Sequence, residues 1–338
     1  MTDATPAAAS RYAVADRPPL RWSDILLRWE SILVLLLAAV IAFNTWISPY
    51  FLDIYNLSDA TFNFSEKAII ALSMALLITA RDIDLSVAAI VAVASLAMGE
   101  ASAAGAPAPL LVLTGLAVGV ACGAVNGWLV TGFALPSIVV TIGTMSLFRG
   151  LAQVVLGDQA LTSYPPAFQS IGQGYIAPGV PVPISFTLFL ALAALFGLVL
   201  HRTVIGRRIF ALGNNPIAAR FSGIEVDRIR FWLFVLSGLM SGLASVLLTA
   251  RIGSTRPNIA LGFELEAVTM VVLGGVSIAG GAGSILGVVL AVFVLGLTTF
   301  GLSLVNVPGI VISVLNGVLL IGAISVPIIA RRLQRKQT

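Results

Sequence analysis

The chain has 338 residues, of which 58% are hydrophobic and only 10% charged. Soluble domains carry roughly a quarter charged residues. With a mean hydropathy of +1.03, the composition excludes a disordered, fibrous or ordinary soluble protein and requires an integral membrane protein. The net charge of +4 would suggest a nucleic-acid partner in a soluble protein. In a membrane protein it directs attention to where the positive charges fall along the chain, and no nucleic acid is expected.

Residues 1–24 are polar, with Pro6, Pro18 and Pro19 among scattered charges, and read as a cytoplasmic tail. A bilayer core about 30 Å thick needs about 20 apolar residues per helix. Ten such spans are predicted, at about 31–48, 64–80, 86–104, 109–131, 138–156, 182–201, 231–250, 264–281, 284–303 and 308–329. They form an all-α polytopic bundle over residues 25–330, followed by a basic tail at 331–338. The first span has no cleavage site after it; Trp46 and Tyr50 read as interface anchors of an uncleaved helix. The second and third spans are separated only by Arg81-Asp82-Ile83-Asp84, and the eighth and ninth by a turn around Gly280, Gly281 and Gly283. Nine spans or re-entrant segments at these two places remain alternatives. Glu66 and Lys67 are read as the outer boundary of the second span.

Ten spans with a cytoplasmic N-terminus put Arg11, Arg17, Arg21, Arg28, Arg81, Arg202, Arg207, Arg208, Arg220, Arg228, Arg230, Arg331, Arg332, Arg335 and Lys336 inside. Only Lys67, Arg149, Arg251 and Arg256 of the 19 basic residues are left over. By the positive-inside rule both termini are cytoplasmic. An odd span count would expose one of the two terminal basic clusters.

The lone cysteine, Cys122, and the lone histidine, His201, exclude a disulfide framework and a Cys or His metal cluster. No metal or cofactor site is expected. Cys122 reads as a small packing residue in an apolar run. Gly115, Gly119, Gly123 and Gly127 recur every four residues along the fourth span, making a smooth ridge for close helix–helix approach. Ser237, Gly238, Ser241, Gly242 and Ser245 do the same on the seventh. Leu135-Pro136-Ser137-Ile138-Val139-Val140-Thr141-Ile142 matches Val307-Pro308-Gly309-Ile310-Val311-Ile312-Ser313-Val314 conservatively throughout. The two copies open helices of opposite direction, the pattern of an inverted repeat.

The inner segment 202–230 carries the richest local signal. Asn215 caps a short helix with Pro216 at its first position, and Gly223 ends it. Ala218 and Ala219 let that helix slot into a partner's groove. The run Gly213-Asn214-Asn215-Pro216-Ile217-Ala218-Ala219-Arg220-Phe221-Ser222-Gly223 resembles the coupling loop of permease subunits of bacterial ABC importers, in the ribose-type monosaccharide branch. Ile83-Asp84-Leu85-Ser86-Val87, Val140-Thr141-Ile142-Gly143-Thr144-Met145 with Arg149-Gly150, and Val272-Leu273-Gly274-Gly275-Val276-Ser277 resemble further motifs of that branch, in order from about residue 64 to 320. Ser48-Pro49-Tyr50-Phe51, the run Asn56–Asn63 and the run Arg251–Asn258 look most like rhamnose-importer permeases, with ribose, xylose and autoinducer-2 permeases as alternatives. Where the branch carries Gly-Gly, this chain has Arg81-Asp82.

The resemblance implies a non-catalytic subunit in the bacterial inner membrane. Its implied partners are a second permease subunit, identical or not, a separate ABC ATPase on the coupling loop, membrane lipid, and a periplasmic sugar-binding protein on the outer loops. The sequence itself lacks a phosphate loop, because its two lysines follow Glu66 and Arg335. Ionisable residues at membrane depth are functional candidates by default. Asp82 and Asp84 are read either as a gate or as structural, with Asp84 and Ser86 capping a helix and Arg81 pairing with Asp82. Asn126, Thr141, Thr144, Ser146, Asn306 and Asn316 are candidate pathway groups, each equally explained by interhelical hydrogen bonds. Arg149 is expected to pair with a carboxylate or helix end near the outer side. An ion-coupled secondary transporter is the competing class; an intramembrane enzyme lacks any catalytic constellation.

Overall fold

The structure, a computed structural model, describes residues 28–334; the N-terminal tail, Arg335, Lys336 and the side chain of Asn316 lie outside the described residues. The helices are α1 (Trp29–Ile47), α2 (Ile54–Thr79), α3 (Val87–Ala103), α4 (Ala108–Gly132), α5 (Ser137–Leu156), α6 (Pro166–Gln173), α7 (Ile184–Arg202), α8 (Val204–Asn214), α9 (Pro216–Phe221), α10 (Val226–Ile252), α11 (Phe263–Leu273), α12 (Ile285–Leu304) and α13 (Gly309–Gln334). A small antiparallel hairpin, β1 (Tyr175–Ala177) and β2 (Val180–Pro183), follows α6. Among the described residues seven helices are each long and apolar enough to cross a membrane: α1, α2, α4, α5, α7, α10 and α12. The protein is an all-α polytopic membrane protein.

Local sequence sets the helix ends. Asp53 accepts hydrogen bonds from the Tyr55 and Asn56 amides to start α2. Pro107, Pro136 and Pro183 stand at the N-caps of α4, α5 and α7, where a missing N–H is harmless. Two ends of the bundle are distinguished by their contents. One, the hairpin end, holds β1–β2, α6 and the segment after α10, which bridges to Leu161 through Thr255. The other, the basic end, holds residues 80–86, α8, α9 and the turn 274–284, where Gly281 donates its amide to Thr79 O.

The glycine ridge of α4 faces α10. A Cβ on Gly119 would overlap Gly238 O, one on Gly123 would overlap Phe234 O, and Gly115 and Gly127 abut Val246 and Phe231. The partner number falls as the α4 number rises, so the two helices run antiparallel. Such backbone contact replaces the hydrophobic drive that lipid does not supply. At the middle of the bundle α2 packs against α10, and α2 is buried along most of its length. Glu66 and Lys67 therefore do not mark a boundary: the helix begins twelve residues earlier, at Ile54, and Glu66 is fully buried within it.

The internal repeat extends far beyond eight residues. Helix starts at 54 and 226, left-handed residues at 81 and 253, helix ends at 132 and 304, left-handed residues at 134 and 306, and helix starts at 137 and 309 all differ by 172. Packing follows the same relation: α10 contacts α3 and α4 as α2 contacts α11 and α12, and α3 contacts α4 and α5 as α11 contacts α12 and α13. The copies diverge at one element. The predicted eighth span is not a full helix: α11 has only 11 residues, about 16 Å of rise. The non-helical segment 253–262, extended only at 254–256 and otherwise a series of turns, precedes it, and the glycine-rich turn 274–284 follows.

Candidate functional site

The segment between α7 and α10 folds as the sequence dictates. Thr203 caps α8; the Asn215 side chain accepts from the Ile217 and Ala218 amides, with Pro216 in the first turn of α9. Gly223, with φ of 80°, turns the chain after Phe221 and Ser222. Ala219 is buried, whereas Ile217 and Phe221 point outward, at 70% and 89% exposure. A short helix presenting two bare apolar side chains is a surface suited to a protein partner. Arg220 pairs with Asp227 through both carboxylate oxygens at 2.8 Å, bracing α9 against the start of α10.

Both ends of this segment are fastened to two adjacent residues, Arg81 and Asp82. Arg81 donates from Nε to Ala279 O at 2.8 Å and from Nη2 to Asn214 O at 3.0 Å. Asp82, 2% exposed, accepts from Arg230 Nε and Nη2, both at 2.7 Å. The first bond holds the chain entering α9 and the second holds it leaving. Gly213 packs directly on Thr79 O and Gly281 N, and Asn214 Nδ2 donates to Gly281 O at 3.2 Å. Arg81 therefore does not pair with Asp82. Its φ of 70° is a conformation glycine adopts freely and other residues adopt at a cost of about 1–2 kcal/mol. Two charge-assisted bonds to carbonyls offset that cost.

The chain passes from this clamp into the membrane. Asp84, fully buried, accepts from Ser86 N at 3.0 Å, Ser86 Oγ at 2.6 Å and Ser237 Oγ at 2.9 Å. Ser86 stands at the N-cap of α3 without a side-chain cap bond, so Asp84 ties the turn to α10 instead of capping α3. Asn126 Nδ2 donates to Ser86 Oγ at 2.7 Å, bringing α4 into the same network. Thr141 bonds Ser137 O at 2.9 Å and reaches Ile83 O at 3.3 Å. Asp82, Asp84, Ser86, Asn126 and Thr141 are thus gathered around one break. Thr144 and Ser146 bond back to their own helix, and Asn306, left-handed at φ 59°, lies at the opposite end of the bundle.

Sequence reading left 251–263 as a loop between two spans, as observed, but missed how its groups and the ions beside it are bonded. Arg149 donates to Pro257 O, Ile259 O and Ala88 O at 2.9, 2.7 and 3.2 Å, so it satisfies carbonyls of this segment and not a carboxylate. Thr255 Oγ1 bonds Ser95 and Tyr164 hydroxyls at 2.6 Å each. Burial pushes the Tyr164 phenol above the ordinary tyrosine value, keeping it a hydroxyl donor. Arg251 pairs with Glu66 at 2.7 Å and Lys67 with Glu266 at 2.6 Å. Gly253 with Pro257 was the available signal of the loop itself: a helix-ending glycine followed by a helix-breaking proline.

A bundle broken at two repeat-related places is a pattern found in transport proteins. Residues 56–324 match the family described as branched-chain amino acid transport system / permease component. The chain belongs to that family. Proteins named autoinducer 2 import system permease protein LsrD, from Escherichia coli K12 and Shigella flexneri, are 36% identical to this permease over 300 residues, covering 87% of this chain and 90% of theirs. The protein of that name from Escherichia coli O157:H7 matches at 36% over 299 residues. No solved structure matches the permease.

Proposed function

We propose that the permease is the translocation subunit of an ATP-driven importer in a bacterial inner membrane, carrying a small neutral sugar or sugar-derived molecule. The named relatives favour autoinducer 2 as first cargo over rhamnose, which nothing beyond the motif resemblance singles out. Rhamnose, ribose and xylose stay in the test panel. The basic end faces the cytoplasm in this reading, as the charge of Arg202, Arg207, Arg208, Arg220, Arg228 and Arg230 requires. A separate ATPase docks on α9, using exposed Ile217 and Phe221; a binding protein delivers cargo at the hairpin end; a second permease copy or paralogue completes the channel.

One observation carries the coupling role. Because Asn214 O and Arg230 are held by adjacent residues of the first break, any displacement of α9 must pull on residues 81–86, and through Asp84, Ser86 and Asn126 on α10, α3 and α4. Force from the ATPase thereby reaches membrane depth along a chain of named bonds. The test is binding-protein-dependent uptake of labelled autoinducer 2 and rhamnose in cells carrying a deletion of residues 214–219. Uptake falls to background while membrane insertion survives. Wild-type uptake by the deleted protein would remove the coupling role, and uptake driven by an ion gradient without any ATPase would move the protein to the secondary-transporter class.

A further inference from the structure

A cavity of about 660 Å³ opens at the hairpin end between α2, α10, the segment 253–262, α11 and α12. That volume lies within the roughly 300–1,000 Å³ range of small-molecule sites. Its floor includes Thr269 and Met270, and Thr299 lies on its wall. Non-helical backbone at membrane depth is tolerated only where it is buried in protein or lines a watered space, and Ser254, Arg256, Asn258, Ile259 and Ala260 line this one. Ser254 is 8% exposed, lines the cavity, and its hydroxyl has no partner. A buried hydroxyl without a partner forgoes about 1–3 kcal/mol, which a ligand or water in the cavity restores.

The charges on the wall are already answered. Lys67 and Glu266 neutralise each other, as do Arg251 and Glu66, and Asn63 Oδ1 accepts a further bond from Arg251 at 3.3 Å. Arg256 stands at the exposed rim. Lys67 lies 4.9 Å from the centre of the Phe263 ring, so an aromatic face adjoins the paired ions. Paired ions and amides offer both donors and acceptors without demanding net charge from the ligand, and an aromatic face suits the C–H side of a ring.

We infer that this cavity is the resting site of the cargo on its way through the membrane, built for a neutral polyhydroxylated ring or sugar-like molecule, with Ser254, Asn63 and Asn258 as hydroxyl partners and Phe263 as the apolar face. The inference rests on the transport reading and adds the place where discrimination between cargoes is made within this chain.

The test uses the full importer in nanodiscs. Thr299→Cys is labelled with a membrane-impermeant methanethiosulfonate, against a single native thiol, Cys122, that is buried. Autoinducer 2, rhamnose and ribose are the probes, and Gln159→Cys in the exposed outer loop is the control. A probe that the wild-type importer transports, at a concentration filling the site to about 90%, slows labelling at 299 about tenfold and leaves the control unchanged. Ser254→Ala and Asn258→Ala each raise the half-saturating cargo concentration about 2- to 10-fold, the worth of one hydrogen bond. Transport by the wild type with no protection at 299, or with unchanged half-saturation in both alanine variants, overturns the cavity assignment and leaves the transport reading standing. No uptake of any probe by the wild type overturns the transport reading and the assignment with it.

Discussion

The two breaks in the bundle occupy equivalent places in the repeat yet are finished in opposite ways. At 80–86 the chain turns at the basic end through Arg81, and the charged groups are spoken for: the guanidinium by two carbonyls, Asp82 by Arg230, Asp84 by two serines, with only the buried Oδ1 of the adjoining Asn126 unpartnered in that network. At 253–262 the equivalent left-handed position is Gly253, the chain continues through a series of turns at the hairpin end, and Ser254 is left unpartnered beside a cavity. The difference teaches how one fold unit, used twice in opposite directions, makes a closed end and an open end. The closed break is fastened to the segment proposed to meet the ATPase, and the open one to the proposed cargo site.

The comparison breaks most severely at Asp82. Asp82→Asn leaves Arg230 with no carboxylate in a half-buried setting; loss of one partner of a buried pair costs about 3–5 kcal/mol and an exposed one under 1, so about 2–3 kcal/mol is expected here. Thermal unfolding in detergent reads the loss, and adding Arg230→Gln recovers part of the stability but none of the uptake. Full recovery of uptake in the double variant would mean that the pair holds the fold and transmits nothing. Next in size is Thr255→Val, which leaves the buried Ser95 and Tyr164 hydroxyls short of a partner and lowers stability by about 1–3 kcal/mol. An unchanged melting temperature would show that Arg149 and the backbone bridge to Leu161 hold the segment without the Thr255 hydroxyl. Smallest is Gly253→Ala, which places a side chain at φ 65° and costs about 1 kcal/mol; a neutral result would show that the open break relaxes freely.

Much of this was legible in the sequence. Ten apolar stretches, the glycine ridge on the fourth, the Asn215-Pro216 helix start and the Gly223 stop all rest on local chemistry, and each corresponds to an element of the structure, though the second helix starts ten residues before its predicted span and the eighth stops at Leu273. The early end of the helix Phe263–Leu273 was not legible, because Val271, Val272 and Leu273 continue an apolar run whose hydropathy does not register that the backbone unwinds after it. Nor were the partners of Arg81, Asp82 and Arg149. Arg81 and Asp82 are neighbours in sequence and invite an ion pair, but the left-handed turn at Arg81 sends its side chain to Asn214 and Ala279, more than a hundred residues away. The repeat was visible as eight residues at a spacing of 172; its extent over the two halves emerges only from helix ends and left-handed positions, which constrain backbone and not side-chain identity.

The central claim is that the Arg81–Asp82 clamp carries motion from the ATPase-facing segment into the membrane. Arg81→Gly tests it most directly, because glycine takes the left-handed turn without strain while both carbonyl bonds vanish, so stability changes by no more than about 1 kcal/mol. The measurement is the ratio of cargo moved to ATP hydrolysed by the reconstituted importer. The account predicts that hydrolysis persists near the wild-type rate while uptake falls, so the ratio drops several-fold. A ratio unchanged from wild type, in a variant that is folded and assembled, would contradict it.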